Sequence, residues 1–477
     1  MAIGTTTSQG TAPGTLVVGL GVSGLATARY LAANGVPLAV CDTRDQPPGL
    51  DELRRELPDV AVFTGGFDAE AFAAAERLVV SPGVPLRTPV IQEAIARGVE
   101  VIGDVELFLR EAKAPVVAIT GSNGKSTVTT LLGEMAMAAG IHAGVGGNLG
   151  KPVLELLDDE VELYILELSS FQLETTYSLS AQAAVILNLC EDHMDRYDSF
   201  ESYVAAKRVI YRHAGCAIVN RDDALAGAQA EGVAKSIGFT MKAPQDDDYG
   251  ICEKDGENWL CKGESFLMPV SGVLVAGRHN QANVLAALAL GEAAGLPMEP
   301  MLQAVRSFHG LAHRTQFVAE IDGVRWYNDS KGTNIGACVA ALEGLDTADG
   351  SLTVLIAGGD CKGADFSELA PALSTYVRTL VLIGRDAPGI ARAVGGSVEQ
   401  DAPRLMGVPP LALGSSGRRR AHTRADDADH RRRAHPRRPP YQLGVHCFFF
   451  LPFGAFFPAG LSFGFRFTEA FGSGASS

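Results

Sequence analysis

From residue 15 onward the chain repeats one phrase. A short run of apolar, mostly β-branched positions is followed by a glycine-rich turn. After the turn, apolar residues recur with the spacing of a helix. "TLVVGLGVSGLATARYLAANG" is one such unit, "VPLAVCDTR" supplies the next strand, and "RLVVSPGVP" is a later strand running into a loop. Strands alternating with amphipathic helices predict parallel sheets covered by helices on their faces. The same phrase recurs in "VVAITGSNGKST", in the strands "LYILELSS" and "AAVILNL", in the helix "NQANVLAALALGEAAG", and in the strands "SLTVLIAGGD" and "VRTLVLIGRD".

The phrasing divides the chain. Residues 1–14 read as a flexible leader, 15–112 as a first Rossmann-like domain, 113–312 as a central domain and 313–398 as a third, Rossmann-like one. The fold class expected is therefore α/β: three consecutive Rossmann-like or P-loop domains, the third truncated. From about residue 399 the alternation stops. "SSGRRRAHTRADDADHRRRAHPRRPP" and "CFFFLPFGAFFPAGLSFGFRF" lie in an aberrant tail, 399–477, expected to be disordered. The apolar run is about long enough to cross a bilayer, but its Pro and Gly make a poor helix, so no membrane span is expected. A change of reading frame in GC-rich DNA would produce such text, and resequencing the gene would test that origin.

Bulk composition narrows the class of activity. The 477 residues suit about three domains of ~150 each, and 47% hydrophobic with 20% charged residues fits a soluble α/β protein. A formal charge of -15 argues against a general nucleic-acid binder, which needs a basic face. The eight cysteines form no C-x-x-C pair, and Cys41, Cys190 and Cys338 lie in apolar or helical settings, as in a reducing compartment. "MAIGTTTSQGTAPG" lacks the basic start and apolar run of a signal peptide, so a cytoplasmic protein is expected, a monomer by default.

The chemistry starts at "AITGSNGKSTVTT". Gly121 and Gly124 let backbone N–H groups turn toward phosphate oxygens. Ser122, Asn123 and Thr127 complete the loop, Lys125 supplies charge, and Ser126 can hold Mg²⁺ at the start of the helix. The match is the short "GSNGKST"; Ile119 stands where the full P-loop pattern has its first glycine. An ordinary Gly-rich turn before a helix is the plain alternative. Hard oxygen ligands would come from Glu167 at the end of "LYILE" and from the "NLCEDHMDRY" loop, with His193 between Asp192 and Asp195. On pattern alone Lys207, in "SYVAAKRVIYRHA", is a solvated helix lysine. The first domain carries "GLGVSG", a G-x-G-x-x-G after a strand, with Asp42 ending the next strand. That fingerprint leaves a nicotinamide-dependent dehydrogenase open as a rival, and a purely structural turn as a second one.

Together, "GSNGKST", "LELSSFQLE", "EDHMDRY", "HNQAN", "HRTQ", "NDSKGTN" and "GGDCKGADF" resemble, in content and order over about residues 15 to 398, the ATP-dependent Mur ligases of peptidoglycan synthesis. "NDSKGTN" points to their D-glutamate-adding branch. The resemblance implies an ATP- and Mg²⁺-dependent ligase that adds D-glutamate to UDP-N-acetylmuramoyl-L-alanine through an acyl phosphate. It implies that Lys125 and Ser126 hold the γ-phosphate and Mg²⁺, that Glu167 and His193 bind metal, and that a carbamylated Lys207 acts as a carboxylate-like ligand. Asn283, Arg314 and Asp329 would contact ATP. Val22, Ser23, Thr43, Arg44, Gly83 and Asn148 would meet the UDP-sugar, and Lys331, Thr333 and Lys362 the D-glutamate. The family's "SPACAS"-type segment, which helps hold D-glutamate, has no counterpart in 399–477. Weak or absent ligase activity, low solubility and an unpaired strand edge in the third sheet are therefore expected, with a nucleotide-binding remnant as the alternative.

Overall fold

The computed structural model describes residues 14–321, 323–345, 352–358, 366–384, 387–395, 404–407 and 444–447. The expected leader apart from Gly14, Lys362, and the expected tail apart from 404–407 and 444–447 lie outside the described residues. The first sheet is wholly parallel and five-stranded, in the order Ala61–Thr64, Leu38–Asp42, Thr15–Val18, Arg77–Val80, Glu100–Ile102. Strand order reverses beside Thr15–Val18, and the crevice of such a sheet opens there, at the carboxyl ends of the strands. Thr15–Val18 is buried throughout, which is why its sequence is a continuous apolar run rather than an alternation.

The central sheet has nine strands, with Val116–Thr120 between Leu163–Glu167 and Ala183–Ile186. Six strands, from Ala143–Gly147 across to Ser236–Phe239, are parallel. Tyr249–Lys254, Glu257–Lys262 and Ser265–Pro269 add an antiparallel meander at one edge. Helices Lys125–Ala138, Arg278–Ala293 and Met298–Ser307 pack on one face, with Leu131, Leu132, Leu285, Leu288 and Met301 buried in that layer. The other face joins the first domain. Val17, Leu25 and Val40 belong to the same buried cluster as Val116, Ala118 and Leu166, with Phe108 and Val153 between them.

The third sheet keeps its own separate core around Leu342, Leu355, Leu373 and Leu380. Its strand order is Gln316–Ile321, Val324–Asn328, Gly444–Cys447, Thr353–Gly358, Val377–Ile383, Arg404–Gly407. Only the first pair is antiparallel. Two of these strands come from beyond residue 398, where the alternation of the sequence ends. Gly444–Cys447 lies between Val324–Asn328 and Thr353–Gly358, and Arg404–Gly407 lies at the far edge.

Candidate functional site

The phosphate loop is built by strand Val116–Thr120 and helix Lys125–Ala138. Gly124 is the N-cap with φ +83°, and Gly121 has φ +150°, both in the region that favours glycine. A Cβ at Gly124 would also strike the Asn283 side-chain oxygen, which places helix Arg278–Ala293 directly against the loop. The loop is braced from strand Ala183–Ile186, whose chain continues to Asn188. The Asn123 N–H donates to Asn188 Oδ1 at 2.8 Å, and Asn188 Nδ2 donates to the Asn123 carbonyl at 3.1 Å. Lys125 Nζ donates to the Gly121 and Ser122 carbonyl oxygens at 2.8 and 2.9 Å. Its ammonium thus lies folded over the loop. Burial pushes its pKa below the ordinary lysine range, against the pull of Glu167 and Asp192.

Lys207 overturns the reading its helix pattern suggests. It is 2% exposed, and its Nζ donates to the Gly121 carbonyl at 2.9 Å and to Thr120 Oγ1 at 3.3 Å. The ammonium also lies 4.7 Å from the Tyr203 ring centre. Burial holds this amine well below the ordinary lysine range, and the neighbouring Lys125 charge pushes the same way. The helix Phe200–Arg208 turns the face with Tyr203, Val204 and Lys207 inward, and Lys207 meets the loop after Thr120 there.

Glu167 ends strand Leu163–Glu167 and is buried. Its Oε1 accepts from Asn148 Nδ2 at 2.7 Å, while Oε2 is buried with no hydrogen-bond partner. An unsatisfied carboxylate oxygen beside a phosphate loop fits a hard cation. Among the described residues no group of three or more His, Cys, Asp or Glu converges as a metal cage. A cation here would lean on Ser126, Glu167 and phosphate oxygens. Lys207 fits that donor set only after its amine becomes a carboxylate. His193 adopts φ +58°, unusual for a non-glycine residue, with its Nε2 3.7 Å from Asp192 Oδ2 and its ring edge-on to Phe171.

The third domain reaches the same loop. Arg314 Nη2 donates to Ser126 Oγ at 2.9 Å. Asp329 is buried and accepts the Thr315 N–H at 2.8 Å, and burial lifts its carboxyl to about 6. Lys331 and Thr333 are exposed on the turn that follows. Asn334 Nδ2 donates to Asn123 Oδ1 at 3.1 Å and to Asp192 Oδ2 at 3.3 Å. Asn188 and Asn334 were not singled out from the sequence. The signals were there, an Asn just after a strand and an Asn just before a helix, but their partners are distant in sequence.

In the first domain, a Cβ at Gly24 would fall on the Gly19 carbonyl oxygen, so the first turn of helix Val22–Ala33 packs tightly under the loop. Val22 is 72% exposed at that helix N-terminus, and Thr43 and Gly83 are also exposed. Asp42 Oδ2 accepts the Leu20 N–H at 2.7 Å, and Arg44 grips both carboxylate oxygens at 2.9 and 2.7 Å. Burial works against its charge, but Arg44 and the Leu20 N–H together hold the carboxyl below its ordinary range. With both oxygens engaged, Asp42 has little left to offer a nicotinamide ribose. Arg196 joins this crevice to the central site, donating to the Val84 carbonyl at 3.2 Å and to Glu174 at 3.3 Å.

Three family models match in succession: "Mur ligase MurD-like, N-terminal domain" over residues 14–103, "Mur ligase middle domain" over 119–291 and "Mur ligase, glutamate ligase domain" over 313–406. The chain belongs to the Mur ligase family. Mur ligases are ATP-dependent ligases of peptidoglycan precursor synthesis. This one is 53% identical over 383 residues to the UDP-N-acetylmuramoylalanine–D-glutamate ligase of Pseudomonas putida, covering 80% of this chain and 85% of that protein. It is 54% identical over 373 residues to the protein of the same name in Nitrosococcus oceani, covering 78% and 82%. Among solved structures, the UDP-N-acetylmuramate–alanine ligase of Thermotoga maritima superposes with a TM-score of 0.55 at 17% identity, over 91% of this Mur ligase and 95% of that chain. That likeness is one of fold.

Proposed function

We propose that this Mur ligase joins D-glutamate to UDP-N-acetylmuramoyl-L-alanine at the expense of ATP. The observation that carries the reading is the convergence at residues 121–126 of half-buried Lys125 and buried Lys207 with the unpartnered Glu167 Oε2. Such a centre is suited to gather phosphoryl oxygens and a divalent cation, not to pass a hydride. The relatives named as D-glutamate ligases support the choice of substrates.

In this reading the sugar nucleotide lies on the first-domain crevice at Val22, Ser23, Thr43, Arg44 and Gly83, and runs past Asn148 toward the phosphate loop. Gly121, Ser122, Asn123, Gly124 and Thr127 wrap the ATP phosphates, with Asn283, Arg314 and Asp329 along the nucleotide. The alanyl carboxylate attacks the γ-phosphorus and ADP departs, leaving an acyl phosphate. The amine of D-glutamate, held by Lys331 and Thr333, then attacks the carbonyl carbon. A tetrahedral intermediate collapses to the amide, phosphate leaves, and the amine proton passes to solvent. Lys125 neutralises charge that grows on the transferring phosphoryl group. Magnesium, held by Ser126, Glu167, His193 and carbamylated Lys207, would supply further electrostatic stabilisation. A neutral, desolvated Lys207 amine is the form that adds to carbon dioxide, so the depressed pKa supports carbamylation.

We place the reaction in the cytoplasm and in a monomer. Among the described residues no helix is long and apolar enough to cross a membrane. The test is phosphate release from ATP with UDP-N-acetylmuramoyl-L-alanine and Mg²⁺, with and without D-glutamate. Release that requires D-glutamate and yields the dipeptide product supports the reading. Binding of both nucleotides without turnover would leave a remnant that has lost its third substrate.

A further inference from the structure

Arg314 and the side-chain amide of Asn334 hydrogen-bond the third domain to the phosphate loop. Asn334 is 8% exposed and is the N-cap of helix Ile335–Gly344. Its Oδ1 accepts the Ala337 N–H at 2.8 Å and Asn123 Nδ2 at 3.3 Å. Its Nδ2 donates to Asn123 Oδ1 at 3.1 Å and to Asp192 Oδ2 at 3.3 Å. Both donors and both acceptor positions of the amide are therefore used, and no other side chain of this size offers both. Ser would cap the helix but not reach across. Asp would cap it too, yet would lose both donors and set a carboxylate against Asp192.

Each end of this amide is tied to something functional. Asn123 is fixed by its backbone to Asn188, so its side chain moves with the phosphate loop. Thr333, directly before Asn334, and Lys331 lie on the same turn, which is anchored where the Lys331 N–H meets the His313 carbonyl at 3.1 Å. The helix start is also pressed against the central domain, because a Cβ at Gly336 would lie 3.0 Å from Cys190 Sγ. We propose that Asn334 is a positioning residue that couples nucleotide occupancy of the phosphate loop to the placement of the turn carrying Lys331 and Thr333. Phosphate oxygens fix residues 121–126, including Asn123. An Asn123 already ordered loses less freedom on holding Asn334, so the amino-acid turn docks more firmly when nucleotide is bound. The D-glutamate part of this statement rests on the ligase reading; the coupling does not.

The test uses the full chain and two variants that keep an N-cap, Asn334→Ser and Asn334→Asp. Hydrogen exchange at the Ala337 amide region is followed with and without a non-hydrolysable ATP analogue and Mg²⁺. In the native chain the analogue should slow exchange there by roughly tenfold. In Asn334→Ser the slowing should fall below about twofold while the cap remains. Asn123→Ala, which changes no residue of the third domain, should abolish it equally at an analogue concentration shown to saturate the variant. Where turnover is present, Asn334→Ser should raise the D-glutamate KM about fivefold or more with kcat within about twofold. Native-like protection in both Asn334→Ser and Asn123→Ala would overturn the proposal. A native chain that never requires D-glutamate would instead sink the ligase reading, and the exchange result would still decide the role of Asn334.

Discussion

Lys207 shows what one residue gains from its surroundings. As an exposed helix lysine it would be an ordinary cation; buried against the Gly121 carbonyl and beside Lys125, it is held well below its usual pKa. Lys207→Ala and Lys207→Arg are both expected to lower turnover by about 10²–10³-fold, because neither side chain can become a carboxylate. Turnover of the native chain should also fall in buffers stripped of carbon dioxide and return with bicarbonate; indifference to both would refute carbamylation. Asp104 gives a second test at this scale. It is buried beside Ser23 with Oδ2 unpartnered, and burial lifts its carboxyl to about 6. Because the folded-state value is raised, its stabilising contribution is complete below pH about 4 and is lost as pH rises through about 6. Asp104→Asn should therefore gain stability relative to the native chain between pH 4 and 8, by on the order of 2–3 kcal/mol at most. Urea unfolding at pH 4.5 and pH 8 measures the difference; an equal offset at both would show that Asp104 does not titrate there. The glycines and Lys125 of the loop were legible in sequence because their geometry is local. Asn188 and Asn334 were not, and Lys207 was named only through the family resemblance, since each acquires its meaning from a strand or loop distant in the chain.

Elements transmit these local choices. In the first domain the turn between strand Thr15–Val18 and helix Val22–Ala33 is so tight that Gly24 touches the Gly19 carbonyl, and Ser81 Oγ donates to that same oxygen at 3.0 Å. Gly24→Ala forces backbone apart and should cost ~3 kcal/mol or more, with loss of UDP-sugar binding while ATP-analogue affinity changes little. Thermal unfolding and titration of the two ligands check this, and a variant of native stability would contradict the packing. Strands and helices of the first two domains were readable, because their apolar runs and helical periods are unbroken. The third sheet was harder. Gly444–Cys447 is too short, and too deep within unusual sequence, for its pattern to mark it as a central strand.

For the whole molecule, the distribution of buried clusters matters most. Side chains of the first and central domains share one buried cluster, whereas the third domain keeps a core of its own. Calorimetry should therefore show two transitions, one for the joined pair and one for the third domain. UDP-N-acetylmuramoyl-L-alanine should raise the first, by about 2.7 kcal/mol at a hundredfold excess over Kd, and leave the second nearly unmoved. A single transition shifted as one would mean that the contacts of Arg314 and Asn334 suffice to couple all three domains.

The sequence by itself determined three α/β domains, the strand–glycine turn–helix at residues 116–138 and the carboxyl-end placement of Glu167, because strand period, helix period and glycine turns are written in neighbouring residues. Its motif order pointed to the Mur ligases, which the family matches then showed. Tertiary structure alone decided that Lys207 is a buried amine rather than a solvated one, that Glu167 keeps one oxygen unsatisfied, and that Asn334 bridges two domains. Those properties depend on desolvation and on hydrogen-bond partners brought from remote parts of the chain, and no local pattern records which partners the fold will bring.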